Sequence, residues 1–142
     1  MTSTATPLCA VIRPEVTYHG KQGLTYAAAV SAETVGAKAL CMHLLMMPPG
    51  ARANAHKHEG HETALYVLSG AAGMWYGDRL EQHVEVKAGE FLYIPAGVPH
   101  LPYNLSASEP CTAVLSRTDP NEQESVVLTP ELERAVPPRP TD

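Results

Sequence analysis

Residues 89–104 of the chain are GEFLYIPAGVPHLPYN, and this stretch decides the class of fold. The apolar and aromatic run Phe91–Ile94 predicts a strand, and the Pro-Ala-Gly sequence that follows predicts a turn. A second strand is predicted over Val98–Tyr103, with His100 close to its start. The stretch therefore predicts β-structure in which His100 is held on a rigid element.

The same alternation of short strands and turns extends along the chain on both sides of this stretch. Turn sequences such as Ser69-Gly70 and Ala88-Gly89 recur at intervals of about ten residues. Between the turns, strands are predicted over Ala39–Met47, Thr63–Leu68, Ala71–Tyr76, Gln82–Lys87 and Cys111–Arg117. Short strands at this spacing predict an all-β sandwich or barrel.

The two ends of the chain are less regular. Short strands are predicted over Ala10–Ile12 and Val16–Tyr18, whereas Leu24–Gly36 stays open: its alanines favour a helix and Ser31 could cap a short turn, but no helical period repeats. We expect residues 1–8 to be flexible and residues 9–128 to form a single domain. The Pro-rich residues 129–142 are expected to form a flexible or docking tail, with one or two helical turns at Thr129–Ala135.

Composition excludes several classes of function. The 142 residues carry a formal charge of −5, and the ten Lys and Arg residues form no run, so no nucleic-acid partner is expected. A basic and apolar leader is lacking, as is a run of about eighteen apolar residues, so no membrane association is expected. Cys9, Cys41 and Cys111 lack zinc-finger spacing and are expected to be free thiols in a reducing, cytoplasmic compartment.

Residues 50–62, GARANAHKHEGHE, concentrate potential metal ligands. Because side chains alternate along a strand, His56 and His58 point to the same side. Glu62 follows His58 by four residues, so a turn through Glu59-Gly60 can return its carboxylate to the same point. Together with His100, these residues supply four ligands for an open metal site, which leaves other positions to water or substrate.

The two stretches resemble the sequence motifs of the cupin family. The first cupin motif has the form G-x5-H-x-H-x3,4-E-x6-G, and residues 50–62 fit its first part. The second has the form G-x5-P-x-G-x2-H-x3-N, and residues 89–104 fit it at every fixed position. The resemblance covers about residues 39–117. It implies a double-stranded β-helix, or jelly-roll, barrel with one divalent transition metal ion (Fe, Mn, Ni or Zn) in its mouth.

The spacing after Glu62 departs from the first motif. Seven residues separate Glu62 from Gly70 instead of six, so Thr63 occupies the glutamate position when counted back from Gly70. Either a bulge absorbs the extra residue and Glu62 binds the ion, or Glu62 turns aside and His61 or Thr63 faces it. A carboxylate beside imidazoles is the commoner ligand set, which favours Glu62. His61 is then a residue that orients a ligand or lies in a turn.

Further side chains are candidates for lining a substrate cavity, namely His43, Tyr66, Tyr93 and Tyr103. The tyrosines suit the barrel core equally well. His43 lies on an apolar strand and is expected to be a core or lumen residue rather than a metal ligand. Arg117 either clamps a substrate carboxylate or ends its strand in solvent, and the second interpretation is favoured.

The resemblance leaves more than one class of function open. The favoured hypothesis is a metal-dependent enzyme, similar to cupin dioxygenases, isomerases, decarboxylases or lyases, that acts on a small oxygenated molecule. The alternative is a barrel that binds or senses a small molecule without turnover, and a storage or structural protein ranks third. No general base can be assigned. Family members commonly pair barrel edges, so a homodimer is expected.

Overall fold

The computed structural model describes residues 7–15, 17–122 and 125–137 of the chain. This part contains eleven strands, one short α-helix and one 3-10 helix. In chain order the elements are β1 (Thr17–His19), β2 (Thr25–Val30), α1 (Ala32–Val35), β3 (Cys41–Met47), β4 (His56–His58), β5 (Thr63–Ser69), β6 (Ala71–Tyr76), β7 (Gln82–Lys87), β8 (Phe91–Ile94), β9 (His100–Asn104), β10 (Cys111–Arg117), β11 (Val126–Leu128) and the 3-10 helix Pro130–Ala135. None of the helices in these ranges is long and apolar enough to cross a bilayer.

The strands form two antiparallel sheets that pack face to face. One sheet has six strands in the order β1-β2-β3-β10-β5-β8, and the other has five in the order β11-β4-β9-β6-β7. Inward side chains from both sheets meet in an apolar core, to which Leu45, Met47, Val67, Ala72 and Val86 contribute. The prediction of an all-β jelly-roll barrel is confirmed.

Strand β10 illustrates how the sequence determines which side chains face the interior. This strand pairs with β3 on one side and with β5 on the other, so it lies inside its sheet. Cys111, Ala113, Leu115 and Arg117 are buried, and the residues between them are only partly buried. Successive side chains of a strand point to opposite faces, so the charged Arg117 shares the interior face with three apolar residues.

Leu24–Gly36, which the sequence left open, is a strand followed by a single helical turn. Ala27 lies opposite Leu44 in the pairing of β2 with β3, so the ladder overrides the helical preference of the alanines. Ser31 caps the turn as predicted, because its hydroxyl accepts from the Thr34 N–H while its own N–H donates to the Thr34 hydroxyl.

The N-terminal strand predictions need correction. Ala10–Ile12 is not a strand, and Val11 is exposed; a three-residue run without a ladder partner gains too little to hold an extended conformation. In the prediction for Val16–Tyr18, Val16 lies outside the described residues, and the strand begins at Thr17. Strand β11 was not predicted from the sequence, and it pairs with β4.

The predicted helical turns near the C-terminus are confirmed as the 3-10 helix Pro130–Ala135. Leu132 and Val136 pack against Leu80 and Leu101, so this part of the tail lies on the outer face of the five-stranded sheet. Residues 1–6 and 138–142, from the two segments expected to be flexible, lie outside the described residues. The division of the chain after residues 8 and 128 stays a prediction.

Asn104, the last residue of the second motif, joins three backbone segments and is fully buried. Its amide nitrogen donates to the carbonyl oxygens of Met47 (3.2 Å), Pro48 (3.1 Å) and Glu109 (2.8 Å). Its amide oxygen accepts from the Ser106 N–H at 2.9 Å. Asn104 therefore joins the end of β3 to the segment between β9 and β10 through its side-chain amide.

Candidate metal centre

His56, His58 and His100 come together inside the barrel because two strands present them to the same face. In the antiparallel pairing of β4 with β9, His56 lies directly opposite His100. His58 follows on the same face of β4, two residues further along. One ring nitrogen from each of the three side chains lies within 4.8 Å of the others, and all three residues are buried.

Backbone carbonyl groups fix the ring orientation of two of these histidines. The Nδ1–H of His56 donates to the Asn54 carbonyl oxygen at 2.6 Å, and that of His100 donates to the Val98 carbonyl oxygen at 2.9 Å. With Nδ1 protonated, Nε2 keeps the lone pair of each neutral ring. The centroids of the two rings are 4.2 Å apart. Such a hydrogen bond from the opposite ring nitrogen is characteristic of histidines that bind metals.

The surroundings keep the three imidazoles uncharged. Burial lowers the pKa of His100 to about 4, and the Arg117 charge adds to this effect against the hydrogen bond to Val98. The pKa values of His56 and His58 also lie well below 6.5, first because of burial and second because of repulsion from a protonated His100. Neutral imidazole is the form that binds a metal ion, so the cluster is in its ligating state at neutral pH.

Glu62 does not join the histidines in this structure. Its side chain is exposed, and its carboxylate accepts a hydrogen bond from the Tyr93 hydroxyl at 2.8 Å. Strand β5 begins at Thr63, which is buried, so alternation directs Glu62 to the opposite side. The structure thus matches the alternative in which Glu62 turns aside. A ligand role for Glu62 stays a prediction, and it would require the carboxylate to leave Tyr93.

His61 is buried next to the cluster, and its ring centroid lies 4.6 Å from that of His58. Its Nδ1 lies 3.2 Å from the Ser125 hydroxyl and 3.8 Å from a carboxylate oxygen of Asp119. Burial lowers the pKa of His61, Arg117 lowers it further, and Asp119 opposes both. His61 is therefore anchored behind His58, in a position suited to orienting that ring.

A cavity of about 40 Å³ lies in front of the three histidines, and Thr63 and Arg117 form part of its wall. This volume is little more than that of one water-sized group, which takes roughly 30 Å³. The remaining wall is mostly apolar. The lining residues are Gln22, Leu24, Tyr26, Leu45, His56, His58, Thr63, Leu65, Met74, Leu92, Ile94, His100, Pro102, Leu115 and Arg117.

The interpretation of Arg117 as a solvated strand end is wrong. Only 3% of the residue is exposed, and its guanidinium carbon lies 5.4 Å from the centroid of the Tyr26 ring. The sequence did contain the signal: Arg117 stands at an even spacing from Cys111, Ala113 and Leu115, so alternation along β10 assigns it to the interior.

A second, larger pocket of about 240 Å³ adjoins the cavity between β6, β7 and β8. Met74, Leu92 and Ile94 line both spaces. Tyr93 belongs to the rim of this pocket and is 58% exposed, where it donates its hydrogen bond to Glu62. Of the four candidates for a substrate cavity, Tyr93 is the one that borders a pocket next to the histidines.

The other three candidates lie elsewhere. Tyr66 packs against Phe91 on the outer face of the six-stranded sheet, with the rings tilted and their centroids 4.7 Å apart. Tyr103 donates or accepts a 2.7 Å hydrogen bond with His83 Nε2 on the outer face of the five-stranded sheet. His43 faces the interior, where its Nδ1 accepts from the Ala29 N–H at 3.1 Å, but it is not among the residues that line the histidine cavity.

Comparison with known proteins gives a family match and a set of structural relatives. The family model for the cupin domain matches residues 43–116. Oxalate decarboxylase of Lactobacillus farciminis, in a formate complex, superposes with a TM-score of 0.66 at 16% identity over 86% of this chain and 36% of its own. Oxalate decarboxylase of Bacillus subtilis, which contains Mn(II) centres, superposes with a TM-score of 0.65 at 20% identity, over 89% of this chain and 32% of its own.

A third relative is the DMSP lyase DddQ of Ruegeria pomeroyi. It gives a TM-score of 0.54 at 22% identity over 66% of this chain and 44% of its own. The chain thus spans about a third of the length of the two decarboxylases. At these identities the likeness establishes the fold alone. No curated protein sequence matches the chain.

Proposed function

The chain belongs to the cupin family, and from this premise we propose that it binds one divalent transition metal ion through His56, His58 and His100. The observation that carries this proposal is the convergence of three buried, neutral imidazoles with ring nitrogens within 4.8 Å of one another. A ligand set of nitrogen donors suits Fe, Ni or Zn better than Mn, which prefers carboxylate oxygen. When bound, the ion supplies Lewis-acid or redox chemistry at its open positions.

We further propose that the protein is a metal-dependent enzyme that acts on a small oxygenated molecule. The decarboxylase and lyase relatives support this class, and the small cavity limits how much of a substrate reaches the ion. Arg117 would hold an anionic oxygen, and the Thr63 hydroxyl would exchange hydrogen bonds with it. The barrel wall excludes bulk water from these contacts.

One observation favours the alternative of binding without turnover. None of the described residues that line the cavity is Asp or Glu, so no carboxylate there is available as a general base. A substrate screen with the metal-loaded protein distinguishes the two functions. Consumption of a substrate supports the enzyme, whereas saturable binding without product supports a sensing or carrier role.

The metal site is tested by elemental analysis and calorimetric metal titration of the purified protein. We expect one ion per chain, lost in His56→Ala and His100→Ala although circular dichroism stays unchanged. His83→Ala is the matched control, because His83 is an exposed histidine away from the cavity. Full metal content in both cavity variants after chelation and reconstitution would contradict the proposal.

The homodimer expected from the resemblance is also a proposal. Met42, Leu68 and Phe91 are 45%, 50% and 79% exposed on strands of the six-stranded sheet, and covering them with a second copy would remove apolar surface from water. We expect a dimer mass in light scattering, which Phe91→Glu shifts to the monomer. A cytoplasmic location likewise stays a proposal, consistent with the free thiols of Cys41 and Cys111.

A further inference from the structure

The histidine cavity contains a buried positive charge in addition to the proposed metal ion. Arg117 is 3% exposed and lines the cavity together with His56, His58 and His100. A divalent ion would add two positive charges to that of the guanidinium. A site of this charge and low polarity strongly favours an anionic ligand.

The Arg117 side chain is held in a defined position. Its guanidinium lies over the ring of Tyr26, 5.4 Å from the centroid, in a cation–π contact. The Tyr26 hydroxyl is fixed in turn, since it accepts a 2.5 Å hydrogen bond from the buried Gln22 side chain. A planar guanidinium held in this way suits the two oxygens of a carboxylate better than a single hydroxyl.

The cavity alone is too small for most organic substrates, but it shares the wall residues Met74, Leu92 and Ile94 with the pocket between β6, β7 and β8. About 40 Å³ in front of the histidines accommodates little more than a carboxylate, whereas the adjoining pocket measures about 240 Å³. Tyr76, Val84 and Val98 line this pocket in addition to the shared wall, and none of the described residues in its lining carries a charge. A ligand that reaches across this shared wall would meet a polar end at the histidines and an apolar end in the pocket.

We propose that the ligand of this site is an organic carboxylate with an apolar arm. Its carboxylate is held by Arg117 at the metal centre, and its arm lies in the pocket formed by Met74, Val84, Leu92 and neighbouring side chains. An arm of about six to eight carbon atoms fits, because a water-sized group takes roughly 30 Å³. This inference rests on the proposed metal-binding function for its setting, but Arg117 and the pocket exist without the ion.

The proposal is tested by titrating acetate, butyrate, hexanoate and octanoate, with octanol as the uncharged counterpart, into metal-loaded and metal-free protein by calorimetry. Each buried CH2 contributes about 0.8 kcal/mol, so affinity should rise about threefold to fourfold for each added carbon until the pocket is filled. Octanol should bind at least about tenfold more weakly than octanoate, since the charged contact is lost.

Two pairs of variants separate the two ends of the ligand. Arg117→Met should weaken octanoate binding at least about tenfold, and Arg117→Lys should retain part of it, because the charge remains without the planar fork. Val84→Asn should remove the dependence on chain length but leave acetate unaffected. The control is Val114→Asn, which changes a half-buried valine on the outer side of β10.

The outcomes distinguish this inference from the metal proposal. If affinity does not depend on chain length, the claim that the ligand has an apolar arm is wrong. If octanol and octanoate bind equally well, the claim that Arg117 holds a carboxylate is wrong. Either result with full metal content leaves the metal site standing. If the protein binds no metal, the proposed metal-binding function is contradicted. The titrations of metal-free protein then test the carboxylate ligand, because the affinities of the five compounds should still follow the same order.

Discussion

Two neighbouring regions contain the candidate ligands, and they differ in how their side chains are held. His56, His58 and His100 lie on β4 and β9, where antiparallel pairing and alternation determine both position and direction. Residues 59–62 form the loop between β4 and β5, and there Glu62 faces solvent and His61 lies behind His58. Spacing along a strand thus predicts convergence, whereas spacing across a loop does not.

The strongest test of this comparison removes one ligand from a strand. His58→Ala should lower metal affinity by about a thousandfold or more, because two imidazoles seldom hold a borderline metal tightly. Glu62→Ala, the matched change in the loop, should alter it less than about threefold if the carboxylate does not bind the ion. Competitive titration with a chelator measures both. Equal losses in the two variants would break the distinction between strand and loop.

Asn104→Ala tests how much the side-chain amide at the end of strand β9 contributes to the stability of the fold. The variant leaves the carbonyl oxygens of Met47, Pro48 and Glu109 without their side-chain donor. We expect a loss of about 3 kcal/mol in the free energy of unfolding, measured with urea. Asn121→Ala, at an exposed asparagine, is the control and should cost less than about 0.5 kcal/mol. A change in Asn104→Ala as small as in this control would argue against the role of Asn104.

His43 also lies on a strand, but away from the three histidines of the cavity. Replacing it should therefore change the free energy of unfolding and not metal binding. Burial, together with the Arg117 charge, lowers the pKa of His43 from 6.5 to about 4, and Glu33 opposes this. Between these pH values the unfolded chain binds a proton that the folded protein excludes, so stability falls as the pH falls from 6.5 towards 4. When the pH falls from about 7 to about 5, His43 should lower the free energy of unfolding by about 2 kcal/mol.

His43→Asn removes that contribution while the Asn oxygen can still accept from the Ala29 N–H. In the metal-free variant, the free energy of unfolding measured with urea should therefore change less with pH across this range. The difference in slope should correspond to the uptake of at most one proton on unfolding. The same dependence in the variant and the wild type would exclude His43 as its source.

The smaller effects concern the loop residue His61. Because His61 is expected to orient the ring of His58, His61→Ala and Asp119→Asn should each weaken metal binding by about tenfold. The double variant should bind the metal no more weakly than His61→Ala alone. The two changes act through one contact, since His61 Nδ1 lies 3.8 Å from Asp119. Additive losses measured by the same chelator competition would mean that the residues act separately.

Much of the fold could be predicted because its signals are local. The strands β5 to β8 were predicted within a residue of their observed bounds, since turn sequences delimit them and apolar residues dominate or alternate between the turns. Ala10–Ile12 was predicted wrongly and β11 was not predicted, because both outcomes depend on a ladder partner distant in the chain. Arg117 was misassigned although alternation along β10 pointed inward.

By itself, the sequence determined the family, the all-β class and the three histidines that converge, because motif spacing and strand alternation directly encode which side chains share a face. Only the tertiary structure decided where Glu62, His61 and Arg117 lie. The path of a loop depends on where the next strand begins, and here β5 begins at Thr63. A cavity is likewise shaped by residues from many strands, so the buried guanidinium and the apolar pocket beside the histidines emerge only when both sheets are packed.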